Sequence, residues 1–182
     1  MRSKNLADTQ KFAEEFLNNL MPLPGQATVV GLSGDLGSGK TTFSQCVAKI
    51  LGVNENVTSP TFVIEKIYEL TGQPFKHLIH IDCYRLESAS EMAKLGWAEI
   101  VADPNNLILV EWPEKIADIL PADMIKIDFK FIDEKTREIN PSIVWCPCDY
   151  PSGLSCVAGI NLKQGRANGR FVRRVDYADE NY

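Results

Sequence analysis

Ala27-Thr28-Val29-Val30-Gly31-Leu32-Ser33-Gly34-Asp35-Leu36-Gly37-Ser38-Gly39-Lys40-Thr41-Thr42-Phe43 is the stretch on which the fold turns. Residues 27–33 are rich in β-branched side chains and apolar on both faces, the pattern of a parallel strand buried between two layers. A glycine-rich turn follows, and residues 40–51 read as a helix stopped by Gly52. The turn Gly34-Asp35-Leu36-Gly37-Ser38-Gly39-Lys40-Thr41 fits G-x-x-x-x-G-K-[ST] with the strand before it and the helix after it that the pattern requires. Glycine lets the chain fold tightly enough for successive N–H groups to converge on phosphate oxygens, and the helix dipole favours negative charge at that end. A chance match to these fixed positions has a probability on the order of one per cent at average composition. The pattern assigns Lys40 to the β- and γ-phosphates of a nucleotide, the Thr41 hydroxyl to Mg²⁺ and the Thr42 hydroxyl to the α-phosphate. The backbone of Gly34, Asp35, Leu36, Gly37, Ser38 and Gly39 forms the cradle. An N-K-x-D guanine reader does not occur, so the expected nucleotide is ATP.

Outward from this centre the texture is α/β. Upstream, Phe12, Phe16 and Leu20 recur at four-residue spacing with Ala13 and Leu17 beside them, predicting an amphipathic helix capped by Asp8 or Thr9 and ended by Pro22 and Pro24. Downstream, residues 61–69 and 76–82 read as strands of a hairpin turning at Thr71-Gly72, and residues 88–95 as a short helix ending at Gly96. Residues 107–111 form a buried-type strand, with a helix expected after Pro113, and residues 125–131 alternate as a strand with one wet face. The predicted fold is a P-loop NTPase-like mixed sheet flanked by helices over residues 1–139, with an appendage at 140–182. That appendage is proline- and glycine-broken and carries five basic and four acidic groups, with weak strand patterns at 142–145 and 171–175.

The bulk numbers narrow the function. A chain of 182 residues holds one compact domain plus a modest appendage. A formal charge of -5 speaks against a dedicated nucleic-acid binder, whose affinity comes mostly from Lys and Arg on phosphates. No run of about 18 apolar residues occurs, which with a charged amphipathic start leads us to expect a cytoplasmic protein. Five cysteines without dense, even spacing read as reduced thiols; Cys146, Cys148 and Cys156 lack the four-ligand spacing of a zinc site.

Magnesium prefers oxygen, so the Thr41 hydroxyl needs a carboxylate from a neighbouring strand end. Asp82, closing Leu78-Ile79-His80-Ile81, and Glu111, closing Leu107-Ile108-Leu109-Val110, both qualify, and their residue types leave open which of them holds the attacking water. His77 and His80 read as strand surface and packing residues, and Arg85 as either a charge-stabilising finger or an ion-pair partner. Arg166, Arg170, Arg173 and Arg174, with Phe171 and Tyr177, could stack and hold single-stranded RNA, but a solvated tail is the commoner arrangement.

The phosphate loop, then Ser59-Pro60-Thr61-Phe62, then His80-Ile81-Asp82-Cys83-Tyr84-Arg85-Leu86, then Glu111-Trp112-Pro113, resemble in order the signatures of the TsaE (YjeE) family, the bacterial ATPases of tRNA threonylcarbamoyladenosine formation. The resemblance spans residues 5–139 and departs at Cys83, where the family usually has leucine. It implies Thr41 and Glu111 as Mg²⁺ ligands, Asp82 in the acidic hydrolytic role, and Thr61 as a γ-phosphate sensor in a switch loop. It further implies Thr9, Trp112 and Arg137 at the border of the nucleotide, with Lys40, Asp82 and Glu111 as the catalytic set. It also implies partners, the TsaB and TsaD proteins, acting together on adenosine 37 of tRNA. A P-loop small-molecule kinase and a nucleotide-sensing module without turnover share the loop and stand as rivals. A kinase would need an acceptor pocket and an Arg-bearing lid, and residues 1–139 carry no Arg-rich lid segment.

Overall fold

In the computed structural model the described residues are 1–55, 57–60 and 63–141, with the backbone of two further strands at Lys163–Ala167 and Arg170–Arg174. The elements run β1 (Arg2–Ser3), α1 (Leu6–Asn18), β2 (Thr28–Gly34), α2 (Lys40–Ile50), β3 (Glu65–Glu69), β4 (His77–Asp82), α3 (Ala89–Lys94), α4 (Trp97–Ala102) and β5 (Asn106–Glu111). A 3₁₀ helix at Pro113–Ile119, β6 (Ile125–Phe131), β7 (Arg137–Pro141), β8 (Lys163–Ala167) and β9 (Arg170–Arg174) complete them.

The main sheet has seven strands in the order β1-β7-β6-β2-β5-β4-β3. β6, β2, β5 and β4 are mutually parallel, while β3, β7 and β1 add on antiparallel at the margins. β2 therefore lies in the interior with its carboxyl end beside that of β5, the place where ligands collect in open α/β sheets. β8 and β9 pair with each other in a separate two-stranded sheet.

Period-two alternation sends the strand residues into two cores. Val30, Leu32, Leu78, Leu107 and Leu109 face α1 and α2, where Phe12, Phe16, Phe43 and Phe129 form an aromatic cluster. Phe43 lies 5.6 Å from Phe12, 5.8 Å from Phe16 and 5.7 Å from Phe129 between ring centroids, and is fully buried. Burying one such ring is worth about 2–3 kcal/mol, so this cluster fixes where the start of α2 sits. On the other face Val29, Ile79, Ile81, Ile108 and Val110 meet Met92, Trp97 and Ile116 from the segments after β4 and β5.

Several local expectations shift. The cap of α1 is Asn5, whose side chain accepts from the Asp8 amide, so Thr9 lies inside the helix and not at its start. Asn and Ser rank with Asp as caps, and the apolar face, set by Phe12 and Phe16, did not distinguish between starts one turn apart. The segment after Pro113 is 3₁₀, with a kink at Ile116. α3 opens on a Ser88–Glu91 capping box as a short helix should, but α4 follows at once from left-handed Gly96, an element the sequence reading missed because Gly96 looked like a stop. β3 begins at Glu65, not 61, since Ile64 takes a left-handed φ of 67° and breaks the extended run. The β3–β4 hairpin is antiparallel as expected. β7 was not foreseen; Ile139 alone faces the core, so its five residues show no periodic signal. Residues 142–145, and Cys146, Cys148 and Cys156, lie outside the described residues, whereas β9 covers most of the strand read at 171–175. No helix among the described residues is long and apolar enough to cross a membrane.

Candidate nucleotide site

A cavity of about 410 Å³ opens over the N-terminus of α2, in the size range of small-ligand sites. Its floor is Gly37, Gly39, Lys40, Thr41 and Thr42; its walls include Thr9 from α1, Asp82, Glu111 and Trp112 from the strand ends, and Arg137 from β7. Leu36, 75% exposed, sits at the rim.

The loop takes its shape from its glycines. Gly34, Gly37 and Gly39 have φ of 136°, 75° and 106°, all left-handed territory. A Cβ on Gly34 would overlap the Phe129 carbonyl oxygen. The first helical hydrogen bond of α2 runs from Phe43 N–H to Gly39 O at 3.0 Å, so the amides of Lys40, Thr41 and Thr42 precede the helical ladder and point out of its end. Asp35 contributes a carbonyl, accepting from Ser38 N–H at 3.2 Å. The Ser38 hydroxyl is buried with no hydrogen-bond partner among the described residues, and buried hydroxyls without partners are uncommon.

Lys40 is only 4% exposed. Its ammonium donates to Gly34 O at 2.6 Å and Asp35 O at 2.9 Å and lies 4.0 Å from the centre of the Trp112 ring. Burial pushes its pKa below the ordinary lysine value, while the charges of Glu111, Glu114, Asp82 and Asp35 pull the other way. Trp112 holds a left-handed φ of 60° directly after β5, so the chain turns sharply just where Glu111 ends, and its ring packs tilted against Tyr84 at 5.2 Å between centroids.

Asp82 and Glu111 are register partners on adjacent parallel strands, 3% and 2% exposed. Glu111 Oε2 accepts the Thr41 hydroxyl at 2.9 Å, bringing together residues 70 positions apart. Asp82 accepts from the Ser59 hydroxyl at 2.8 Å and from Tyr84 N–H at 3.0 Å. Ser59 belongs to the Ser-Pro-Thr segment; Thr61, the expected sensor in that segment, lies outside the described residues. Thr9 pairs its hydroxyl with Ser3 at 2.8 Å. Arg137 donates from Nε to Gly37 O at 3.1 Å and covers the Phe131 ring at 4.4 Å. All the sequence-expected residues in the described region thus meet at one end of the sheet.

The donors fit a nucleotide with a hard cation: a hydroxyl and a carboxylate in contact, a second carboxylate beside them, unspent helix amides and one lysine. No cluster of three or more His, Cys, Asp or Glu able to hold a metal occurs among the described residues. An ion that keeps its waters and shares its ligands with phosphate suits this set better than one needing an all-protein cage. Sequence reasoning missed two members. His80 hydrogen-bonds Glu111 at 2.8 Å, and Ser59 holds Asp82. His80 could have been found, because it precedes Asp82 by two residues and strand alternation puts both on one face.

A P-loop strand, turn and helix in the interior of a mixed sheet, with two acids on the neighbouring strand ends, define a P-loop NTPase-like protein. Comparison with known proteins narrows the class. Residues 3–139 match the family model "Threonylcarbamoyl adenosine biosynthesis protein TsaE". The TsaE protein of Rickettsia typhi is 38% identical over 131 residues, 71% of this chain and 85% of that protein. Its Bacillus subtilis counterpart is 38% identical over 139 residues, covering 76% and 82%. The crystal structure of Bacillus subtilis YdiB superposes with a TM-score of 0.63 at 31% identity, over 80% of this chain and 84% of that one. The chain belongs to the TsaE family, whose work is tRNA threonylcarbamoyladenosine biosynthesis.

Proposed function

We propose that the chain binds ATP with Mg²⁺ and hydrolyses it in the cytoplasm, acting with TsaB and TsaD in the modification of adenosine 37 of tRNA. The observation that carries this reading is the contact of the P-loop hydroxyl of Thr41 with the buried carboxylate of Glu111 at 2.9 Å, beside Asp82 and under Lys40. Thr41 and Glu111 would hold the cation, which when bound supplies Lewis-acid neutralisation of phosphate charge. The loop from Gly34 to Gly39 and the amides of Lys40, Thr41 and Thr42 hold the phosphates. Lys40 exchanges its bonds to Gly34 and Asp35 for the β- and γ-phosphates, staying over the Trp112 ring, which keeps water from its other side. Thr9, Trp112 and Arg137 border the nucleotide, and Thr61 senses the γ-phosphate. Water attacks in line, forming the new P–O bond as ADP leaves. Asp82, fixed from two sides by Ser59 and the Tyr84 amide, or Glu111 orients that water.

Among the described residues no glutamine lines the cavity to activate the water, which favours slow turnover by the isolated chain and completion by partners. The decisive test is tRNA modification reconstituted with TsaB and TsaD, comparing wild type with Lys40→Ala. Repeated turnover by wild type only, with phosphate released in the absence of any added acceptor, is the expected result. Equal turnover by both proteins refutes the catalytic reading, and phosphate transfer that depends on an added acceptor would favour a kinase.

A further inference from the structure

One buried polar side chain at this site has no part in the steps above. His80 is 1% exposed, and its Nε2 lies 2.8 Å from Glu111 Oε1, while Glu111 Oε2 accepts from Thr41 at 2.9 Å. The two oxygens of one carboxylate are thus divided between the imidazole and the P-loop. The contact also selects the tautomer. A lone pair on Nε2 would face a carboxylate oxygen, two acceptors at hydrogen-bond distance; a proton on Nε2 makes the contact a charge-assisted hydrogen bond. The cost is that Nδ1 is buried with no partner among the described residues. A single acceptor left unpaired costs less than a buried carboxylate left without its donor.

We infer that His80 is a positioning residue whose Nε2–H holds the Glu111 carboxylate with Oε2 turned to Thr41, and so sets how tightly that pair takes a divalent cation. The inference rests on the Mg²⁺–ATP reading of the site. A glutamate side chain has three free torsions, and a cation that keeps several waters has few protein ligands to correct a carboxylate that rotates away. The donor behind a ligating group is therefore worth about 10–100-fold in metal affinity. Asp82, the other acid, is fixed differently, by Ser59 and a main-chain amide.

The test is calorimetric titration of the full chain with the non-hydrolysable analogue β,γ-imido-ATP, first in EDTA and then at rising Mg²⁺. His80→Leu removes the donor and keeps most of the volume, and His80→Gln returns an N–H near the Nε2 position. The expected result is an unchanged affinity in EDTA for both. For His80→Leu the Mg²⁺ concentration giving the half-maximal gain should rise about 10–100-fold, with most of that recovered in His80→Gln. A wild-type Mg²⁺ response in His80→Leu overturns the inference, as does an equal loss in both variants accompanied by weaker binding in EDTA, which would mark a packing role. If His80→Leu does not fold, His80→Asn replaces it, since its shorter amide reaches only the Nδ1 position; equal Mg²⁺ responses in Asn and Gln variants overturn the inference. Wild type gaining nothing from Mg²⁺ overturns both this inference and the reading beneath it, whereas wild type responding and His80→Leu responding alike overturns this one only.

Discussion

Lys40 and Phe43 stand three residues apart on the same helix and are buried to nearly the same degree, 4% and 0% exposed, yet they are held by different physics. Lys40 is fixed by directional bonds to two carbonyls and by one ring face. The Phe43 side chain is fixed by packing against three other phenyl rings, with no hydrogen bond of its own. The first arrangement is poised to exchange partners and the second resists any change of shape. One helix can carry both because the aromatic cluster positions α2 before the first turn does any binding. The lesson is that stability and ligand chemistry are separable here within one turn of helix.

That separation can be broken experimentally. Phe43→Ala leaves a cavity among three rings and should cost about 3–5 kcal/mol in denaturant unfolding with an unchanged m-value. Gly34→Ala tests the joint between the two regions, because the added Cβ strikes the Phe129 carbonyl and φ is 136°. It should cost on the order of 3 kcal/mol in stability and also distort the loop, so unfolding and nucleotide titration should fail together. Lys40→Ala should do the opposite of Phe43→Ala: nucleotide affinity falls about 10–100-fold, the value of a charged hydrogen bond, while stability moves by less than about 1 kcal/mol. A Lys40→Ala protein that unfolds as readily as Phe43→Ala would erase the distinction.

Ser59→Ala sharpens the polar side by freeing one Asp82 oxygen from a neutral hydroxyl, with an expected cost of about 1 kcal/mol, read as faster proteolysis near residues 57–60 and a weaker nucleotide response. The smallest effect concerns Cys83, fully buried beside Asp82 on the apolar side, where burial above all, and then the nearby acids, push its thiol up to about 12 from 9.0. A raised folded-state value means that the folded chain keeps the proton that the unfolded chain releases, so this stabilisation is complete below pH 9 and is lost as pH rises toward 12. Unfolding free energy should therefore decline across that window, less steeply in Cys83→Ala, and Cys83 should resist alkylation at pH 8 in peptide mapping of the folded protein.

Much of this was legible in the linear chain because it is local. The glycine spacing, the apolar run before it and the helix after it are all written within residues 27–52, and the acids at 82 and 111 announce themselves by closing apolar runs. Boundaries were less legible: Asn5, Asp8 and Thr9 are all competent caps, and the folded chain uses Asn5, whose side chain accepts from the Asp8 amide. Gly96 reads as a stop, and it is one, but nothing near it shows that α4 resumes in the next residue.

The sequence by itself determined that a P-loop turn exists, which side chains it offers and which acids end the neighbouring strands, since backbone conformation at glycine and alternation along a strand are short-range matters. The tertiary structure alone decided who meets whom. Strand order put β5 beside β2, so that Glu111 reaches Thr41 across 70 residues, and register put His80 under Glu111 and Asp82 beside it. It likewise brought Arg137 to Gly37 from 100 residues away. Those pairings follow from burying two apolar faces of one sheet at once, a condition that no single segment carries in its own composition.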